Sequence, residues 1–215
     1  MKGKTVFFDL DGTLTDPRQG IVRSIRYALE KMDRPVPESD DLLWCIGPPL
    51  LSSFEILLDG PESVDRGVAL YRERFSETGL FENRVYDGIQ PLLAQLRSAG
   101  ATLYVATSKP HVFASRIVEY FGLAQYFDQL FGSELNGKRT DKAELLRYAI
   151  TETGVDASEA TMVGDRSHDM VGAVDNDIRG VGVLYGYGSA EELAAAGASV
   201  IVEQIGDLFE ALSVR

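Results

Sequence analysis

From residue 102 onward, short β-branched or aromatic runs alternate with helical stretches, and this rhythm limits the chain's architecture more than any other feature. Strand-like runs fall at 102–106, 129–131, 160–163, 180–184 and 199–202. Helical spacing fills the gaps at 110–121, 141–153 and 167–176, with shorter pieces at 190–196 and 205–212. Strands that alternate with helices build parallel sheets with helices on both faces. An earlier run from Val6 to Leu10, β-branched and aromatic and polar only at Asp9, reads as a strand buried on both faces of a parallel sheet.

The stretch from 16 to 85 breaks the rhythm. After Asp16-Pro17, the residues Ile21, Ile25, Ala28, Leu29 and Met32 recur at helical spacing. Arg34-Pro35-Val36-Pro37 reads as a stiff linker, Leu42 to Ile46 as helix, and Gly47-Pro48-Pro49 as a loop. Leu50 to Leu58 and Val64 to Thr78 again fit helices. The predicted fold class is therefore α/β, a doubly wound parallel sheet with an inserted all-helical domain. The predicted boundaries are 1–15 with 86–215 for the core and 16–85 for the insertion.

Composition narrows the function. A formal net charge of −12 over 215 residues argues against a nucleic-acid polymer or an anionic membrane as partner. One cysteine, Cys45, permits no intrachain disulfide, and two histidines give no zinc-type cluster. Without an apolar run of spanning length or a cleavable leader, the expectation is a cytoplasmic protein.

Polar clusters gather where strands end. Asp9 and Asp11 lie at the end of the first run, and open α/β sheets bind ligands at the carboxyl ends of their strands. Two such carboxylates held close together imply a cation, acid–base work, or both. Thr107-Ser108-Lys109 follows the run ending at Ala106, where hydroxyls and free N–H groups can hold phosphoryl oxygens. Taken alone it is also an ordinary helix start. Lys142 opens the next helix and alone reads as a surface lysine, with Lys138 a competitor. Gly164-Asp165 follows another strand, and Asp169 is spaced to face the same point. Asp165 could equally be a helix N-cap, and His168 reads as an exposed helix residue.

Asp9-Leu10-Asp11-Gly12-Thr13, Thr107, Lys142, and Gly164-Asp165 with Asp169 together resemble the four ordered motifs of the haloacid dehalogenase-like (HAD) hydrolase superfamily, with its Rossmann-like core. The insertion resembles the cap of the phosphoglycolate phosphatase subfamily. Ile46-Gly47-Pro48-Pro49-Leu50, Tyr86-Asp87-Gly88, Thr107-Ser108-Lys109-Pro110 and Gly182-Val183-Leu184-Tyr185-Gly186-Tyr187-Gly188 resemble its 5'-nucleotidase-like branch. Arg139-Thr140-Asp141-Lys142 departs from the common third motif by lacking its prolines.

The resemblance implies a Mg²⁺-dependent phosphomonoesterase. Asp9 would be the nucleophile that forms an aspartyl-phosphate, and Asp11 the general acid and base. Mg²⁺ would be held by Asp9, Asp165 and the main chain of Asp11, with Asp169 bridging through water or holding Lys142. Thr107 and Lys142 would complete the catalytic set. Gly12, Thr13, Ser108 and Lys109 would bind the phosphoryl group, and Gly47 and Pro48 would face the leaving group. The expected substrate is a small phosphorylated metabolite, a nucleoside 5'-monophosphate ahead of phosphoglycolate, and the expected state a monomer or homodimer. A sugar-phosphate mutase shares the core residues. A dehalogenase has no alkoxide to protonate and does not need Asp11. A non-enzymatic phospho-acceptor module of the receiver kind would be shorter, without an insertion.

Overall fold

A computed structural model describes Met1 and residues 3–214, and its chain forms two units, residues 1–16 with 85–215, and residues 17–84. In chain order, β1 (Thr5–Phe8) and the short β2 (Thr15–Asp16) precede α1 (Arg18–Lys31), α2 (Leu50–Leu57) and α3 (Pro61–Arg74). After β3 (Arg84–Val85) come α4 (Ile89–Ser98), β4 (Thr102–Pro110), α5 (His111–Tyr120) and β5 (Gln129–Ser133). The chain ends with α6 (Lys142–Thr153), β6 (Ala160–Gly164), α7 (Ser167–Val174), β7 (Arg179–Val183), α8 (Ala190–Ala195), β8 (Val200–Val202) and α9 (Leu208–Ser213).

The six-stranded sheet runs β5-β4-β1-β6-β7-β8, and its pairings are parallel. β1 is central because all four of its residues are buried, so it can only lie between other strands. The strand order reverses direction at β1, which has β4 on one side and β6 on the other. That is the topological switch point where such sheets open a crevice. Phe8 is level with Val105 of β4 and Val163 of β6, so the residues that follow these three strands emerge side by side.

One face of the sheet is packed by Phe7, Tyr104, Phe131 and Met162 against Leu145, Leu146 and Ala149 of α6 and Ala173 of α7. Phe7 and Tyr104 stack at 5.2 Å between ring centroids. Each such side chain contributes about 1.5–3 kcal/mol on burial, which anchors α6 and α7 and hence the polar residues at their first turns.

β4 runs further than the sequence predicts, through Thr107-Ser108-Lys109 to Pro110, with an irregularity in its pairing to β5 between Thr107 and Pro110. β5 makes this possible. Gly132 lets the backbone of Lys109 and His111 approach closely, since a Cβ there would lie 2.9 Å from the Lys109 carbonyl. The buried Ser133 hydroxyl donates to the Ser108 carbonyl at 2.7 Å.

The second unit is helical, as the spacing predicts, with two differences in detail. The turn Asp40–Cys45 is 3-10 rather than α, and α3 ends in a π-helical turn, Phe75–Gly79. Its core stacks Tyr71 on Phe75 at 5.0 Å and sets Phe54 edge-on to Tyr71. Gly67 leaves room for that ring, because a Cβ would meet Phe54 at 2.7 Å. Cys45 is buried here, and burial pushes its thiol up to about 11. Among the described residues no helix is long and apolar enough to cross a membrane.

Candidate active site

Asp9 leaves β1 with its N–H still donating to the Val163 carbonyl of β6 at 2.9 Å, so its backbone is fixed before its side chain enters the crevice. The chain then turns through Gly12, whose φ of +85° suits a residue without a Cβ. A side chain there would also run into the Asp165 carboxylate. Thr13, fully buried, donates its hydroxyl to Asp165 Oδ1 at 3.1 Å. The loop after β1 and the end of β6 thus meet directly.

Lys142 is 3% exposed, so the surface reading of this residue is corrected. Asp141 caps α6, its side chain accepting from the Glu144 N–H at 2.9 Å, and this sets the first turn against the crevice. Lys142 Nζ reaches Asp9 Oδ1 at 2.9 Å, Asp169 Oδ1 at 2.8 Å and the Ala106 carbonyl at 2.9 Å. Lys138 is exposed in the turn before α6, where its N–H donates to Asn136 Oδ1, so Lys142 is the lysine brought to Asp9.

Asp165 is not the cap of α7. Arg166 occupies that position, and the Asp169 side chain closes the box by accepting the Arg166 N–H at 3.1 Å. One carboxylate oxygen each from Asp9, Asp165 and Asp169 can lie within 4.8 Å of the others, all three residues being buried. Asp11 turns elsewhere. Its Oδ2 pairs with Lys109 Nζ at 2.6 Å, and its Oδ1 is buried without a hydrogen-bond partner among the described residues.

Electrostatics follow from this burial. Desolvation raises Asp165 well above the usual carboxylate range, and the charges of Asp169 and Asp9 push it the same way. Asp169 is raised by burial although Lys142 opposes it, and Asp11 is raised by burial although Lys109 opposes it. Burial works against the charge on Lys142, but Asp169 and Asp9 outweigh it and lift its pKa above the ordinary value. Four carboxylates beside two ammonium groups leave two formal negative charges in a desolvated site. Hard oxygen donors and a residual charge of that size fit a small divalent cation.

Thr107 is buried, and its Oγ1 accepts the Lys109 N–H at 3.3 Å within the irregular end of β4. His168 is half-buried rather than exposed, with Nε2 lacking a hydrogen-bond partner among the described residues. Burial holds its imidazole below the ordinary pKa, against the pull of Asp169. Gly47 and Pro48 lie in the second unit, in the loop before α2, with Gly47 at a φ of +107°.

Sequence reasoning gave no role to the loop after β7. There Tyr187 donates its N–H to Asp165 Oδ2 at 2.8 Å and its hydroxyl to Asp16, and the Tyr185 hydroxyl donates to the Thr13 carbonyl at 3.0 Å. The alternation of glycine and tyrosine at a strand exit was the available signal.

A family model described as haloacid dehalogenase-like hydrolase matches residues 6–183. A 5'-nucleotidase of Pseudomonas aeruginosa is 49% identical over 191 residues, covering 88% of this chain and 86% of that one. Tyrosine-protein kinase PtkA of Mycobacterium tuberculosis is 41% identical over 211 residues, covering 97% of this chain and 72% of that one. The crystal structure of a predicted phosphatase from Clostridium acetobutylicum superposes with a TM-score of 0.95 at 43% identity, covering all of both chains. The chain belongs to the haloacid dehalogenase-like hydrolase family and is one of its phosphatases.

Proposed function

We propose that this protein hydrolyses a small phosphate monoester through an aspartyl-phosphate on Asp9, with Mg²⁺ as cofactor and a nucleoside 5'-monophosphate as substrate. The observation that carries the reading is the buried bridge of Lys142 between Asp9 and Asp169, with Asp165 beside it. A carboxylate held by a lysine and surrounded by buried acids is costly for stability and suits an anionic nucleophile that must meet a phosphoryl group.

The carboxylates of Asp9 and Asp165, with the main-chain carbonyl of Asp11, would hold the cation, and Asp169, which holds Lys142, would reach it through water. Bound Mg²⁺ supplies positive charge against the phosphoryl oxygens. Asp9 attacks phosphorus in line, forming a new P–O bond as the bond to the leaving alkoxide breaks. Asp11 gives that alkoxide its proton, then takes one from the water that attacks the phosphorus of the aspartyl-phosphate and releases Asp9. Lys142 keeps Asp9 oriented and offsets charge that builds on the transferring group. Thr107 and Ser108 bind the remaining phosphoryl oxygens, whereas the N–H groups of Gly12 and Thr13, expected to share that task, already donate to the Thr15 and Leu10 carbonyls at 2.8 and 3.4 Å.

These groups handle only the phosphoryl moiety, so the second unit is assigned the selection of leaving group, with Gly47 and Pro48 in that role. The 49% identity to the Pseudomonas aeruginosa 5'-nucleotidase supports nucleoside monophosphates as the class. The test is release of inorganic phosphate from a panel of monoesters by purified protein, with Mg²⁺ and with EDTA. Turnover of nucleoside 5'-monophosphates above phosphoglycolate, abolished by EDTA, is the expected result. Full activity in a metal-free preparation, or transfer to protein tyrosine in place of phosphate release, refutes it.

A further inference from the structure

We infer that the loop Tyr185-Gly186-Tyr187-Gly188 is a positioning element that clamps Asp165 against the loop following β1 and so sets the affinity of the site for its cation. The inference rests on the proposed reading of Asp165 as a metal-holding carboxylate. Three observations converge on it, and none involves a residue assigned to the chemistry above other than Asp165, Thr13 and Gly12.

The first is a hydrogen bond from the loop to the carboxylate itself. Tyr187 N–H donates to Asp165 Oδ2 at 2.8 Å, while the Thr13 hydroxyl donates to Oδ1 at 3.1 Å. With a donor fixed on each oxygen, the carboxylate plane cannot rotate freely, and the remaining lone pairs point in fixed directions. Groups that orient a ligand in this way are worth about 10–100-fold in metal affinity.

The second is close packing that only glycine permits. A Cβ at Gly186 would fall on Asp165 and on the Gly12 carbonyl, and one at Gly188 would fall on the Asp165 carbonyl. Gly186 is therefore wedged between the two loops that carry the acidic residues, and any side chain there must push them apart. φ plays no part in this, since neither glycine is among those with positive φ.

The third is the anchoring of both tyrosines. The half-buried Tyr185 donates its hydroxyl to the Thr13 carbonyl at 3.0 Å, and its ring meets Tyr86 edge-on at 5.2 Å. The Tyr187 hydroxyl donates to Asp16 Oδ1, at the end of β2. A single tetrapeptide thus spans from Asp165 to both ends of the segment 13–16. Loops held only by solvent would not specify the direction of the Tyr187 N–H.

Isothermal titration calorimetry with MgCl₂ alone, on the full chain, tests this with the wild type, Gly186→Ala, Tyr187→Phe, Tyr185→Phe and Asp165→Asn. Circular dichroism in EDTA checks that each variant is folded. Gly186→Ala should weaken Mg²⁺ binding about tenfold or more, and the two Tyr→Phe changes should weaken it less but measurably. For Tyr187→Phe, the Mg²⁺ concentration needed for half-maximal activity should rise while kcat at saturating Mg²⁺ stays close to wild type. A merely structural role would lower Tm without that split. Should Gly186→Ala fail to fold, Tyr187→Phe decides the matter. Folded loop variants that bind Mg²⁺ as wild type does, beside an Asp165→Asn that has lost it, overturn the loop inference alone. Wild-type affinity in Asp165→Asn overturns the metal reading and the inference with it.

Discussion

Replacing Asp165 with asparagine should abolish activity and, in the absence of metal, make the protein more stable. The carboxylate oxygens of Asp9, Asp165 and Asp169 can lie within 4.8 Å of one another. At an effective dielectric constant of about 20, a pair of ionised groups no further apart than this repels by about 3.5 kcal/mol or more, and Asp165 enters two such pairs, about 7 kcal/mol before the Lys142 ammonium paired with both Asp9 and Asp169 offsets part of it. Asparagine keeps the shape. Its oxygen can still accept the Tyr187 N–H, and its amide can donate to the Thr13 hydroxyl once that hydroxyl rotates. The imperfect exchange costs about 1–3 kcal/mol. We therefore expect a net gain in stability, each kcal/mol of which raises Tm by about 2–4 °C for a chain of this size.

The pH dependence has a definite sign. Asp165 has its folded pKa raised above the unfolded value, by burial first and then by Asp169 and Asp9. Its charge therefore costs nothing below the unfolded pKa near 4, and the cost grows as pH rises through the folded pKa. The advantage of Asp165→Asn should be largest in alkaline EDTA and vanish towards about pH 4. Adding Mg²⁺ should reverse the order, since a ligand that binds only the folded wild type stabilises it by about 2.7 kcal/mol at a hundred times Kd. Scanning calorimetry across pH measures both. Asp165→Asn melting at or below wild type in EDTA at pH 8 would refute the argument that the acidic group is strained without its cation.

Lys142→Met removes the bridge between Asp9 and Asp169, leaves both buried charges uncompensated, and should cost about 3–5 kcal/mol in urea unfolding together with nearly all activity. Lys109→Met frees Asp11 from its 2.6 Å partner and should lower kcat/KM for alkyl phosphates, whose alkoxide needs a proton, far more than for p-nitrophenyl phosphate. Equal losses on both substrates would place Lys109 on the phosphoryl group instead. Pro48→Ala should change the ratio of kcat/KM between a nucleoside 5'-monophosphate and phosphoglycolate while p-nitrophenyl phosphate changes less, and an unchanged ratio removes this loop from selection.

How far the residues foretold this arrangement depends on the range of each interaction. The parallel sheet was legible because burial on both faces writes a continuous apolar run, as in Val6 to Phe8, and because helical periods separate the later runs. The gathering of Asp9, Thr107 and Asp165 was legible for the same reason, since strand ends in a parallel sheet share an edge. β2 and β3, two residues each, carry too little pattern to be seen. The extension of β4 to Pro110 depends on Gly132 and Ser133 of another strand, which no local window contains. Lys142 could not be separated from a surface lysine by composition, because its burial is created by Asp9 and Asp169, at distant positions in the chain. The tyrosine loop was quoted in the sequence yet given no role, its partners lying at Thr13 and Asp16, more than 150 residues away.

The measurement that bears most directly on the central claim is the capture of the phosphorylated enzyme. Mixing the protein with Mg²⁺ and a fast substrate, quenching in acid within the first turnover, and locating the adduct by peptide mass spectrometry should find an acid-stable, hydroxylamine-sensitive phosphoryl group on Asp9. The adduct should be absent in Asp9→Asn. A phosphoryl group on any other residue, or wild-type turnover by Asp9→Asn, would contradict the account.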